Sequence, residues 1–244
     1  DTQKVHISSA IASGYKYMLI VTSDEAKARK MCDDASFFNK EAIYYPAKDA
    51  IFYSADVHGN QITGERLRCI SRIINHSSTG EGVLTVVTTM DGIADRLIPV
   101  ERFKEAVITL DYSSEIEPEK LAKKLVAMGF VRTGMVEDKG QFAIRGGIID
   151  IFSYTDEAPV RIELWDTEVD SIRMFDVESQ RSIERLQSYS IFPATEYIFT
   201  EDELKNGLYN IKEECDRQLE CFDYGKRKRT KEQIEAGNNL NKLV

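Results

Sequence analysis

Between Gln141 and Arg181 the chain reads QFAIRGGIIDIFSYTDEAPVRIELWDTEVDSIRMFDVESQR, where Arg145, Arg161, Arg173 and Arg181 accompany the single tryptophan, Trp165. Guanidinium groups make paired, charge-assisted hydrogen bonds to carboxylates, and a large aromatic side chain supplies area to bury. These residue types suit recognition rather than bond-making. Period-2 alternation puts Trp165 on the strand face that carries Arg161 and Glu163. A three-residue loop at Asp166-Thr167-Glu168 sets Ile162 and Leu164 on one face with Ile172 and Met174, and it places Arg161 opposite Arg173 on the polar face. Like charges so placed cost about a few tenths of a kcal/mol, which a partner's carboxylate reverses. Two readings fit this pattern. Either Glu163 and Glu168 neutralise the arginines while Trp165 folds over an apolar edge, or the face is an interface.

Other residues invite other chemistry. Asp150, Asp166, Asp170 and Asp176 suggest a carboxylate pair or a metal site, but acids at hairpin edges are commonly solvated or paired with arginines, and no histidine stands nearby. His58, with Asp56, Gly59 and Asn60, reads as an ordinary loop histidine. Tyr44, Tyr45, Phe52 and Tyr53 resemble a base-stacking platform without the basic groove that such a platform needs. The basic run Gly225-Lys226-Arg227-Lys228-Arg229-Thr230 follows a helix and lacks the upstream glycine of a phosphate loop, so it reads as a solvated interhelix segment. Cys32, Cys69, Cys215 and Cys221 form no CxxC pair and offer no zinc-ligand spacing, which points to a reduced, cytoplasmic protein.

The elements that must position these residues fall into two patterns. Up to Tyr112, apolar runs at Tyr17 to Val21, Ala42 to Tyr45, Val83 to Val87 and Val107 to Leu110 alternate with helical stretches after Ser23, after Thr63 and from Asp91 to Ile98. Such alternation predicts an α/β lobe with a mostly parallel sheet. From residue 113, a helix opened by Pro118 and closed by Gly129 precedes five strands with little helix between them. This predicts a small α+β domain, residues 113–194, with a largely antiparallel sheet. Residues 195–244 read as helical, from about Glu201 to Phe222 and again from about Lys231.

Composition bounds the function. The 244 residues carry a formal charge of −9 with a 42% apolar fraction. Residues 113–194 hold ten Lys and Arg against fifteen Asp and Glu, a net of −5 that leaves −4 for the rest. Neither part suits a broad nucleic-acid surface, which draws its affinity from excess cations. No apolar run reaches the roughly 18 residues of a membrane span. The start lacks both Met and signal-peptide features, and the end stops within a helical pattern, so the chain is expected to be an excised piece of a longer protein.

The stretch resembles the domain shared by bacterial transcription-repair coupling factors and the excinuclease protein UvrB. The residues that carry the likeness are Arg145-Gly146-Gly147, Asp150-Ile151-Phe152, Arg161-Ile162-Glu163-Leu164-Trp165 and Glu168-Val169-Asp170-Ser171-Ile172-Arg173. FDVESQRSIE from Phe175 and IFPATEY from Ile191 favour the coupling factors, and YPAKDAIFY and GERL extend the likeness into the first lobe. The resemblance implies a degenerate helicase-like lobe over residues 1–112, a docking domain for the excinuclease protein UvrA over 113–194, and the start of a returning segment over 195–244. It implies partner-binding roles for Arg145, Arg161 and Trp165, with Arg173 added by register. The family usually has Phe-Phe followed by Gly where this chain has Leu164-Trp165-Asp166. It further implies no catalysis and no cofactor in this region, while ATP, magnesium, RNA polymerase and double-stranded DNA belong to other parts of the parent protein. The alternative is a nucleotide- or DNA-binding lobe like that of UvrB.

Overall fold

The computed structural model describes residues 2–38, 41–48, 56–79 and 82–223, and the chain divides into two compact units, residues 1–198 and 199–244. In the first unit, β1 (Tyr17–Thr22), β2 (Ala42–Tyr45) and β3 (Leu84–Thr89) form a parallel sheet in the order β1-β3-β2. The central strand β3 is buried almost throughout, as its unbroken apolar and threonine sequence requires. Helix α2 (Glu25–Phe38) lays Ala28, Cys32 and Ala35 inward, and Ala28 and Cys32 pack against Val87 of β3. Helix α3 (Asp56–Thr79) presents Leu67 and Ile74 to a second cluster with Phe103 and Phe192. Helix α1 (Thr2–Ala12), which the sequence pattern does not announce, has no concentrated apolar stripe and buries only Val5 and Ala12. The helix expected from Asp91 to Ile98 is α4 (Met90–Ala94), capped by the Thr89 side chain, and α5 (Val100–Ala106) follows Pro99.

The strand expected at Val107 to Leu110 is β4 (Ile108–Asp111), and it does not join the parallel sheet. It pairs antiparallel with β11 (Ser188–Ile191), and its Leu110 enters the core cluster that holds Ile149 and Ile162. An apolar run records burial, not the sheet that buries it, and here the partner lies about eighty residues downstream.

Helix α6 (Pro118–Ala127) buries Leu121, Ala122 and Leu125. Its end is a Schellman closure, with Gly129 at φ +88°, Phe130 N donating to Leu125 O and Gly129 N to Val126 O. The six strands β5 (Val131–Arg132), β6 (Gln141–Arg145), β7 (Ile148–Phe152), β8 (Val160–Trp165), β9 (Glu168–Phe175) and β10 (Ser182–Arg185) lie side by side in sequence order. Every pairing is antiparallel except β5 with β6. One face carries the main core, including Phe142, Ile149, Ile151, Ile162 and Ile172. On the opposite face Val136, Ala143, Phe152 and Val177 make a small second cluster.

Tyr154 packs against both the main core and the α3 cluster. A Cβ on Gly64 or on Gly140 would come within 2.9 Å of its ring, so glycine on α3 and glycine in the turn before β6 admit the same tyrosine. The described residues are therefore mixed α/β, with one parallel sheet, one largely antiparallel six-stranded sheet and the two-stranded β4–β11 pair.

The second unit contains α7 (Glu201–Asp223). Thr200 and Glu203 form a reciprocal capping box, Glu203 N donating to Thr200 Oγ1 and Thr200 N to Glu203 Oε2. The helix expected from Lys231 and the basic run at 225–230 lie outside the described residues.

Candidate functional site

The outer face of the six-stranded sheet collects the arginines. Residues paired across strands share a face, and the register places Asp150 opposite Arg161, and Arg161 opposite Arg173. Asp150, 1% exposed, is the hub. Arg161 donates to it twice, Nε to Oδ1 at 2.7 Å and Nη2 to Oδ2 at 2.9 Å, and Arg145 Nη2 donates to Oδ2 at 2.6 Å. Arg161 also donates to Gln180 Oε1 and lies 4.2 Å over the Phe175 ring. Its side chain is 11% exposed, and the hydrogen bond to Asp150 is the main influence raising its pKa, against the opposing effect of burial. Arg173 pairs with Glu163, which also accepts from Ser171 Oγ.

The arginines are thus neutralised from within the sheet, by Asp150 and Glu163 rather than by Glu163 and Glu168. Glu168 instead stands across from Trp165. Trp165 does not fold over an apolar edge; it is 80% exposed at the tip of the hairpin. Arg145, 43% exposed, opens the same end. It is set there by the Gly146-Gly147 turn, where Gly146 has φ +61° and a Cβ on Gly147 would lie 2.9 Å from Leu164 O.

The β8–β9 loop differs from the expected three residues. Trp165 pairs with Glu168, so the loop is Asp166-Thr167, with Asp166 in the left-handed region at φ 59°. The extra residue is a β-bulge at Asp170, between the pairs Glu163–Ser171 and Leu164–Val169. Plain alternation from Ile172 would turn Asp170 into the core and Val169 outward. The bulge exchanges them and buries Val169.

Asp150 serves the arginines, Asp166 forms the turn, and Asp170 occupies the bulge. Asp176 accepts the N–H and hydroxyl of Ser179, which hold its pKa below the usual value, the hydroxyl bond contributing most. Among the described residues no group of three or more His, Cys, Asp or Glu is placed to hold a metal ion. Cys32 and Cys69 are buried free thiols, and burial pushes Cys69 up to about 12, which makes it a poor nucleophile. The side chains of Phe52, Tyr53 and His58 lie outside the described residues. Tyr44 and Tyr45 lie under the guanidinium groups of Arg29 and Arg66, at 4.6 and 4.3 Å, rather than open to a base.

Arg66 is fully buried and joins three motifs that lie far apart in the sequence. It donates to Glu196 Oε1 at 2.5 Å and Oε2 at 3.0 Å, and to Pro46 O at 2.7 Å, with Asp95 at 3.2 Å and Lys48 bonded to Glu196 at 3.1 Å. GERL, YPAK and ATEY therefore meet at one ion-pair node. At the start of α2, where a phosphate loop would present an anion site, Asp24 already supplies the anion. Its Oδ1 accepts Lys27 N at 2.8 Å and its Oδ2 accepts Ser23 Oγ, and these bonds, the backbone one first, lower its pKa.

No described helix is long and apolar enough to cross a membrane. Residues 108–197 match the family model of the UvrB interaction domain. Over its full length the chain is 36% identical to the transcription-repair-coupling factor of Bacillus subtilis (strain 168), spanning 21% of that protein. It is 34% identical to those of Staphylococcus aureus (strain Mu50 / ATCC 700699), over 87% of this chain and 18% of the relative, and Staphylococcus haemolyticus (strain JCSC1435), over 91% and 19%. The chain thus spans about a fifth of the length of these curated relatives. Both matches converge on the sheet that carries Arg145, Arg161 and Trp165: residues 108–197 are a UvrB interaction domain, and the chain as a whole is similar to one part of the transcription-repair-coupling factors.

Proposed function

We propose that this region is a non-catalytic adaptor that docks the excinuclease protein UvrA in transcription-coupled nucleotide excision repair in the cytoplasm. The observation that carries the reading is the exposed Trp165 at the hairpin tip, at the same end of the sheet as the half-exposed Arg145, within the UvrB interaction domain. An exposed aromatic that shares a sheet face with arginines has the composition of an interface anchor. Trp165 and Arg145 meet the partner first, Arg173 lies deeper, and Arg161 holds Asp150 and so orients Arg145. In this reading residues 1–112 are a degenerate helicase-like lobe that works without nucleotide, 113–194 the docking domain and 195–244 a returning helical segment. ATP, magnesium, RNA polymerase and double-stranded DNA engage other regions of the parent protein.

The test is a calorimetric titration of the 244-residue chain with purified UvrA, comparing wild type, Trp165→Ala and Arg145→Ala. Both variants are expected to bind more weakly while keeping the wild-type circular dichroism spectrum. Equal affinity for all three would remove the docking face from consideration.

A further inference from the structure

The row of arginines does not end where the sequence motif ends. Arg185 of edge strand β10 pairs in register with Arg173 of β9, so Arg161, Arg173 and Arg185 stand side by side on three neighbouring strands of the outer face. Strand spacing of about 4.8 Å makes this a row roughly 10 Å long. The first two have resident carboxylates, Asp150 and Glu163. Arg185 is exposed, and among the described residues no carboxylate pairs with it. Its neighbour Glu184 cannot serve, because Glu184 pairs with Met174 and so faces the other way. The row thus has one more cation than the sheet neutralises, at its accessible edge.

We infer that Arg185 is a further partner-binding residue, and that the docking face runs across the sheet from Arg145 to Arg185 and takes an acidic protein segment. The inference rests on the docking reading above and deepens it. Four strand spacings separate β6 from β10, roughly 19 Å, the reach of about six extended residues. Discrete carboxylates suit this face better than a phosphate backbone. Glu163 and Glu168 stand on the same outer face among the arginines, and the chain's net charge is −9. A continuous line of phosphates would meet those acids, whereas a peptide can place its acids opposite guanidinium groups and an apolar residue on Trp165. The guanidinium fork fits a carboxylate through two parallel bonds, which sets Arg185 apart from a lysine at the same place.

The experiment titrates UvrA into the wild-type chain and into Arg185→Ala, Arg185→Glu, Arg185→Lys and Trp165→Ala, at low and moderate salt, with a 20-base-pair DNA duplex as a second anionic probe. Arg185→Ala is expected to weaken binding about 3- to 10-fold with an unchanged melting temperature and a shallower salt dependence, as for a charge at an interface rim. Arg185→Glu should weaken it further, and Arg185→Lys should recover part of the loss. If Arg185→Ala and Arg185→Glu bind as wild type does while Trp165→Ala is impaired, the docking reading stands and this extension of it falls. If the wild-type chain does not bind, or Trp165→Ala is unimpaired, the docking reading itself falls and takes the extension with it. Loss of duplex binding in the Arg185 variants, with protein binding intact, overturns the acidic segment in favour of nucleic acid.

Discussion

Asp150 and Arg161 face each other across adjacent strands and share two hydrogen bonds, of 2.7 and 2.9 Å, with the carboxylate almost wholly out of water. A buried charge is tolerated only while its partner is present. Arg161→Ala should therefore destabilise the domain by about 3 kcal/mol, the low end for a broken buried pair, because Arg145 still reaches Asp150. Urea unfolding measures this. Adding Asp150→Ala should cost less than the sum of the two single changes, the sign of direct coupling. Strict additivity would mean that the pair contributes nothing.

Trp165→Ala should behave in the opposite way. Its side chain is mostly in water, so stability should stay within about 0.5 kcal/mol of wild type. Affinity for the docking partner should fall by about 2 kcal/mol or more, the scale of a hot-spot truncation. Parallel melting and binding measurements separate the two effects, and a large drop in melting temperature would contradict the exposed placement.

Gly147→Ala tests the turn that aims Arg145. A Cβ there would lie 2.9 Å from Leu164 O, whose own N–H donates to Gly147 O at 2.8 Å. Backbone must move, which should cost about 1–3 kcal/mol, comparable to other strained backbone positions. Amide exchange at Leu164 should quicken in the variant; unchanged exchange would show that the turn yields without cost.

Asp156 gives a pH signature. Burial raises its pKa above the usual value, although hydrogen bonds from Tyr189, chiefly, and Thr155 pull the other way. A carboxyl with a raised folded-state pKa binds more protons folded than unfolded, so its stabilising contribution is complete below the unfolded value and is lost as pH rises through the folded one. Asp156→Asn removes that loss. Its stability relative to wild type should increase as pH rises from about 3.8, the unfolded carboxylate range, toward neutrality. Denaturation midpoints over that interval provide the check, and a constant difference would contradict the shift.

The sequence makes the face legible but not its state of charge. Alternation alone puts Arg161 opposite Arg173, and the sheet agrees. A three-residue loop and a two-residue loop with one bulged residue give identical pairing from Glu163 backward, so no periodicity separates them. They differ only at Leu164, Trp165 and their partners, where the burial of Val169 and the left-handed Asp166 decide the matter. The burial of Arg161 has no sequence signal, because what covers it comes from three separate places: Asp150 on β7, Phe175 at the end of β9 and Gln180 in the turn beyond. Arg185 is hidden for a related reason. The irregular step between Ser182 and Glu184 decides which β10 residues face outward, and such a step has no period to detect. Strand β4 is legible as a strand, but alternation with helices assigns it to the wrong sheet, since its partner β11 is named by contact alone.

Arg66 and Glu196 lie 130 residues apart in the chain. On a ribosome adding about 5–20 residues per second, the arginine waits on the order of ten seconds for the carboxylate that takes two of its hydrogen bonds. The residues around it therefore emerge before its two-bond carboxylate exists. The UvrB interaction domain match ends at residue 197 and takes Glu196 with it. Any protein engineer who cuts that domain out as a cassette leaves behind a guanidinium stripped of its two-bond carboxylate, with only Asp95 and the Pro46 carbonyl to meet it.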